Sequence, residues 1–281
     1  EPVRPGSDAL EVLLADDRAA AAALVSDGSA DWALVGDEEA TGSGITQGSV
    51  DSGAIRLMMM NPSHPALADV DVRRTVRHLL DVDALEAAGL VERRTGILGG
   101  EISCTTVCDG DEARAEVVLA GAEATEPIPI DVIDVPELSA LAVAIAEQLE
   151  AGGLEVDVRF HEVDAYRELL LSGDVGIHIH GSIGLVGAPS EYLIFPFAGV
   201  SAERTILDPD EDLDELLAEV ERTEGTDRDA AIDAALEGLA EEAVVVSLGP
   251  ITVGSARNES IGAIEVGPGG LVDLSTTQII N

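Results

Sequence analysis

Hydrophobic positions recur along the chain in two periods, two for strands and three to four for helices, and the switches between them mark the elements. The clearest run is residues 128–160. Ile128, Ile130 and Val132 alternate and predict a strand. Leu138, Leu141, Ile145 and Leu149 then fall at helical steps, and Gly152 with Gly153 ends that helix. Leu154, Val156, Val158 and Phe160 alternate with Glu155, Asp157 and Arg159, predicting a second strand. Strand, amphipathic helix, strand implies a parallel pair joined by a right-handed crossover. A helix is expected from Asp164 to Leu171, stopped at Ser172 and Gly173, and a strand through Val175, Ile177 and Ile179 to Gly181.

The same reading covers the rest. Residues 9–36 predict a strand at Ala9–Leu14, a helix started by Asp16 and Asp17 and ended near Gly28, and a strand at Trp32–Val35. Residues 37–53 are rich in Gly, Ser, Thr and acids and read as a loop or crossover. A strand is expected at 55–60, with Met58, Met59 and Met60 packed in it, and a helix from Asp71 to Leu80. Residues 89–112 read as loop. Two acidic helices are predicted near 211–222 and 227–241, the second turning Ile232, Ala235, Leu236 and Leu239 inward. A buried strand follows at Ala243–Leu248, and short β segments in 250–281.

Charge changes the picture most. The 281 residues hold 55 Asp and Glu against 15 basic residues, all Arg, for a formal net charge of -40. Such a surface repels itself at low ionic strength and is screened in concentrated salt, so the composition reads as that of a halophilic, acidic protein. It argues against nucleic acid and against anionic lipid surfaces as partners. The hydrophobic fraction is 46%, so a packed core is expected, built from Ala, Val, Leu and Ile because only 2% of residues are aromatic. No apolar run is long enough to span a membrane, and no leader is visible in EPVRPGSDALE, so a leader is expected to have been removed or to lie elsewhere. Cys104 and Cys108, in CTTVC, are read as a local disulfide or as two free thiols; two ligands alone make no zinc site.

No GxSxG elbow, phosphate-binding loop or dinucleotide fingerprint occurs. His178 and His180 lie two apart on a strand and share a face, which could place two imidazoles on a metal. The competing reading is two partly exposed polar groups near a strand end. A metal-dependent hydrolase would add His161 and an activated water. Asp69, Asp71, Arg73, Arg74 and Arg77 surround one short helix; they suit anion capture, or helix-start acids and surface ion pairs. Asn258, Glu259 and Ser260 form a glycosylation sequon.

Four segments carry a family resemblance. They are EVLLADDRAAAAALVSDGSADWALV, RLMMMNPSHPALADVDVRRTVRHLLDVDAL, the βαβ stretch 128–181, and LDELLAEVERTEGTDRDAAIDAALEGLAEEAVVVSLGP. The matching positions include Ala23, Leu24, Gly28 and Asp31, then Asn61, Pro65, Asp69, Val72, Arg73 and Asp81. The chain resembles the family 5 extracellular solute-binding proteins, the peptide/nickel-type binding components of ABC importers, over the C-terminal part of that family. The resemblance implies an α/β, periplasmic-binding-protein-like (type II) lobe with a mixed sheet flanked by helices, plus a partial second lobe. The expected division is 1–56 as partial first lobe, 57–249 as second lobe and 250–281 as a return segment. It implies a small-molecule or peptide ligand, an ABC permease as partner, no enzyme activity, no cofactor, and a cell-surface location, membrane-anchored in the full-length form. The alternative is a truncated or degenerate paralogue acting as a sensor or protein-interaction module.

Ligand contact is expected in the loop GSIGLVGAPSEYLIF, at His180, Ser182, Ala188, Glu191 and Tyr192. Peptide-binding members carry a Trp and an Asp-Pro pair there, the Asp holding the peptide's ammonium group. Here Ser182 takes the Trp position and Ala188 precedes Pro189, so that anchor is absent.

Overall fold

The computed structural model describes residues 11–35, 42, 44–91, 126–183, 211–262, 264–267 and 271–273. In chain order the elements are α1 (Arg18–Ser26), β1 (Trp32–Val35), β2 (Ile45–Met60), a 3-10 turn (Pro65–Leu67), α2 (Val70–Leu79), α3 (Val82–Ala87), β3 (Ile128–Ile133), α4 (Pro136–Ala151), β4 (Val156–His161), α5 (Val163–Ser172), β5 (Ile177–Ile183), α6 (Glu211–Arg222), α7 (Gly225–Glu242), β6 (Val245–Asn258), β7 (Glu265–Gly267) and β8 (Leu271–Asp273). They fall into two compact units, Glu1–Ala54, Leu185–Gly187 and Ile251–Asn281 in one, Ile55–Gly184 and Ala188–Pro250 in the other. β2 and β6 each contribute a segment to both.

In the larger unit the strands run in the order β6-β2-β5-β3-β4. β3 pairs in parallel with β4, Ile128 opposite Val156 and Val132 opposite Phe160, and in parallel with β5, Ile130 opposite Ile177. The expected βαβ unit is present, and α4 buries Leu141, Ile145 and Leu149 completely. Both faces of the sheet are covered. Met58 and Met60 of β2 join Ile128, Ile130, Val132, the buried stripe of α4, and Val72 and Val76 of α2 in one cluster. Leu57 and Met59, pointing the other way as the pleat requires, pack with Leu213, Leu217, Ile232, Ala235, Leu236 and Leu239 of α6 and α7. All three methionines are fully buried, which is why an unbroken apolar run forms this strand.

The smaller unit holds α1, β1, the first part of β2, the last part of β6, and the antiparallel pair β7-β8. β1 pairs antiparallel with β6, Trp32 opposite Arg257. Asp17 caps α1 by accepting from the Ala20 N–H, and Gly28 takes the left-handed φ of 79° that lets the chain turn back into β1.

The structure departs from the sequence reading in four places. Residues 11–14 form no strand, and Val12 and Leu14 are 73% and 95% exposed; their apolar character alone builds nothing without a neighbouring strand to pair with. β2 begins at Ile45, ten residues before the apolar run, because backbone pairing rather than side-chain composition sustains 45–54. The short helix α3, capped by Asp81, fills the stretch between the expected helix ending at Leu80 and the loop at 89–112, to which the pattern assigns no element. Phe160 is 46% exposed despite its place in the alternation, on β4, the last strand in the sheet order.

Candidate ligand-binding site

In α/β sheets ligands collect beyond the carboxyl ends of the parallel strands. In the larger unit that edge is formed by Ile133 of β3, His161 of β4 and Ile183 of β5. β5 carries two of the candidate residues, His180 and Ser182, toward this edge. Ala188, Glu191 and Tyr192 lie outside the described residues, as do Cys104 and Cys108.

The sheet behind that edge is fixed by a buried carboxylate. Asp131 is wholly inaccessible and sits in mid-strand, where an unpaired charge would be very costly. Its oxygens accept from Arg159 at 2.6 Å, from the Gly176 N–H at 3.0 Å, and lie 2.7 Å from His161 Nε2. One carboxylate thus ties β3 to β4 and to the start of β5. His178 stands opposite Asp131 in the β3–β5 register and is fully buried, not partly exposed near a strand end as the polar reading had it. His161 holds its Nε2 against the Asp131 carboxylate. Among the described residues no group of three or more His, Cys, Asp or Glu is placed to hold a metal ion.

Asn61 closes the opposite end of β5. Fully buried, it donates from Nδ2 to the carbonyls of Val175 (2.7 Å) and Gly173 (3.0 Å) and accepts from the Ser63 N–H. Its own N–H reaches the Gly176 carbonyl. The end of β2 is therefore pinned to the start of β5.

The three arginines of α2 serve neither anion capture nor surface ion pairs alone; they terminate α7. Arg73, 2% exposed, donates through Nε to the Glu242 carbonyl and through Nη1 to Leu67 and Ala68, and pairs with the Glu242 carboxylate at 2.9 Å. Arg74 donates to the Glu241 carbonyl and Arg77 to that of Ala240. These carbonyls lie in the last turn of α7, at the negative pole of its dipole, and that of Ala240 also accepts from the Ala243 N–H. Burial pushes the Arg73 guanidinium below its ordinary pKa, and Glu242 opposes that shift. On β2, the half-buried Arg56 is also lowered by burial, against the field of Glu137 in the first turn of α4.

The network of Asp131, Arg159 and Gly176 was missed in the sequence. Its one signal is an acid inside the apolar run Ile130–Val132, which implies a buried partner without naming it.

The profile of the family described as bacterial extracellular solute-binding proteins, family 5 middle, matches residues 3–202. The chain belongs to this family. Comparison with curated proteins finds no match. Among solved structures, family 5-like folds align over nearly the whole chain. An ABC transporter substrate-binding protein, CtaP, from Listeria monocytogenes superposes with a TM-score of 0.78 at 16% identity, over 95% of this chain and 59% of its own. A dipeptide-binding protein from Pseudoalteromonas in complex with Met-Leu gives 0.74 at 17% identity, over 92% and 55%. NikA from Brucella suis, in complex with Fe(III)-EDTA, gives 0.73 at 19% identity, over 94% and 60%. The chain thus spans less than two thirds of the length of these binding proteins. At such identities the likeness concerns the fold, which is periplasmic-binding-protein-like with a mixed sheet flanked by helices. Among the described residues no helix is long and apolar enough to cross a membrane.

Proposed function

We propose that this family 5 protein is part of the substrate-binding component of an ABC importer, taking a peptide-like or other small solute between two lobes and delivering it to a membrane permease outside the cytoplasm. The match to the family over 3–202 carries this reading. Two features support it. The chain passes from one compact unit to the other inside β2, between Ala54 and Ile55, and inside β6, between Pro250 and Ile251, where hinges are expected near 50–57 and 249–252. Gly249 beside that second crossing has φ 106°, a backbone state closed to other residues without strain. Hinge closure over the ligand involves no covalent step.

The ligand class turns on Ala188. With no carboxylate there, a free α-amino group has no counter-charge, and ordinary peptides should bind weakly. In calorimetric titration with di- and tripeptides, Ala188→Asp should raise affinity about tenfold or more, as a charge-assisted hydrogen bond contributes roughly 1.5–3 kcal/mol. Equal affinities for both proteins would remove Ala188 from the site. A native mass spectrum of protein from its own host tests the importer reading itself, which expects a bound small solute. A species that carries only another protein chain would favour the sensor or protein-interaction module, the reading suggested by Ser182 and Ala188 standing where peptide binders keep Trp and Asp.

A further inference from the structure

We infer that Asn258 is a site of N-linked glycosylation. The inference rests on the importer reading to the extent that it needs this part of the chain to be outside the cytoplasm. Asn258-Glu259-Ser260 has the required Asn-X-Ser order, with no proline at X. The sequon lies at the last residue of β6 and in the turn that leaves it, where the Ile261 N–H donates to the Asn258 carbonyl at 3.2 Å. Glu259 and Ser260 are exposed, and a bulky glycan on such a turn displaces no core residue. The side chains are also arranged as a unit. Asn258 Oδ1 accepts from the Ser260 N–H at 3.0 Å and from the Ser260 hydroxyl. Amide and hydroxyl, the two groups that define the sequon, are thus presented together on the surface rather than pointing apart along a strand.

The remaining side-chain contact is compatible with the modification, and the Asn258 N–H, bonded to the Asp31 carbonyl at 2.9 Å, takes no part in it. Asn258 Nδ2 donates to Asp31 Oδ1. The donor would be a phosphate-activated, lipid-linked sugar. Transfer forms the Nδ2–C1 bond and breaks the sugar's C1–O bond; the phosphate leaves with the lipid, and one amide proton is lost to base. A second N–H remains on Nδ2, so the bond to Asp31 can persist.

The test is peptide mapping of the full protein from its own host, in which the tryptic peptide starting at Asn258 is weighed. The expected result is a mass increase by whole sugar residues, abolished in Asn258→Gln and Ser260→Ala and retained in Ser260→Thr, which keeps the hydroxyl. An unmodified peptide from protein recovered at the cell surface, with other sequon peptides of that sample carrying glycans, overturns the inference and leaves the importer reading standing. An unmodified peptide from cytoplasmic protein overturns both.

Discussion

Arg73 and Arg74 are neighbours in sequence and do the same job on α7 at very different depth. Arg73 has a side chain 3% exposed and satisfies the carbonyls of Leu67, Ala68 and Glu242. Removing it leaves those acceptors inside the protein without donors. Arg74, 37% exposed, makes its bonds to the Glu241 carbonyl and to Asp71 at the surface. Arg73→Met should therefore cost about 3 kcal/mol of unfolding free energy and Arg74→Met at most about 1 kcal/mol. Urea titrations at fixed salt check this, since urea leaves ionic strength unchanged. Equal costs would show that the guanidinium of Arg73 contributes no more than a surface group. The sequence shows a cluster of Asp69, Asp71, Arg73, Arg74 and Arg77 but not its partner, because the helix end it caps lies more than 160 residues further on.

At the scale of elements, the legible part is what periodicity encodes. The βαβ unit 128–161 follows from the periods of its own residues, and α1 from the Asp17 cap and the Gly28 turn that bound it. The strand character of 45–54 did not follow, because Gly48, Ser49, Asp51 and Gly53 deny it a hydrophobic pattern and pairing in the sheet alone decides it. The candidate loop at Ala188, Glu191 and Tyr192 follows from the resemblance, not from any period in its residues. The start of β5 gives a direct test of how tightly elements are locked. A Cβ on Gly176 would lie 2.4 Å from Pro129 Cγ and 2.6 Å from the Pro129 carbonyl oxygen. A backbone oxygen cannot rotate away, so β5 must shift from β3 and stretch the Gly176–Asp131 hydrogen bond. Gly176→Ala should lose about 2 kcal/mol or more. Gly153→Ala, with φ 91° but open space around it, should cost about 1 kcal/mol, through backbone strain alone. Matching costs in urea unfolding would mean the strands have room to part.

For the whole molecule the governing quantity is the charge of -40, and its effect depends on salt. The Debye length is about 10 Å at 0.1 M and about 3 Å at 1 M, so carboxylates one helical turn apart repel in the first case and are largely screened in the second. α7 offers a clean place to measure this. Asp229, Asp233 and Glu237 are exposed and spaced four residues apart, which stacks three like charges along one stripe. None needs its charge for the core, which α7 builds from Ile232, Ala235, Leu236 and Leu239. Replacing the three with Asn, Asn and Gln removes two like-charge neighbour pairs and part of the field of the remaining acids. The triple variant should be more stable than the parent by about 1 kcal/mol near 0.1 M salt and indistinguishable from it above about 2 M. The parent itself should melt roughly 10 °C higher in the concentrated salt, since a few kcal/mol of relieved repulsion moves a chain of this size by that much. Urea and thermal unfolding of both proteins at the two salt levels separate this from a general salting-out effect, which would raise parent and variant alike and leave their difference unchanged. A difference that persists at high salt would mean the acidic surface acts through local helix propensity, and the halophilic reading of the composition would lose its physical basis.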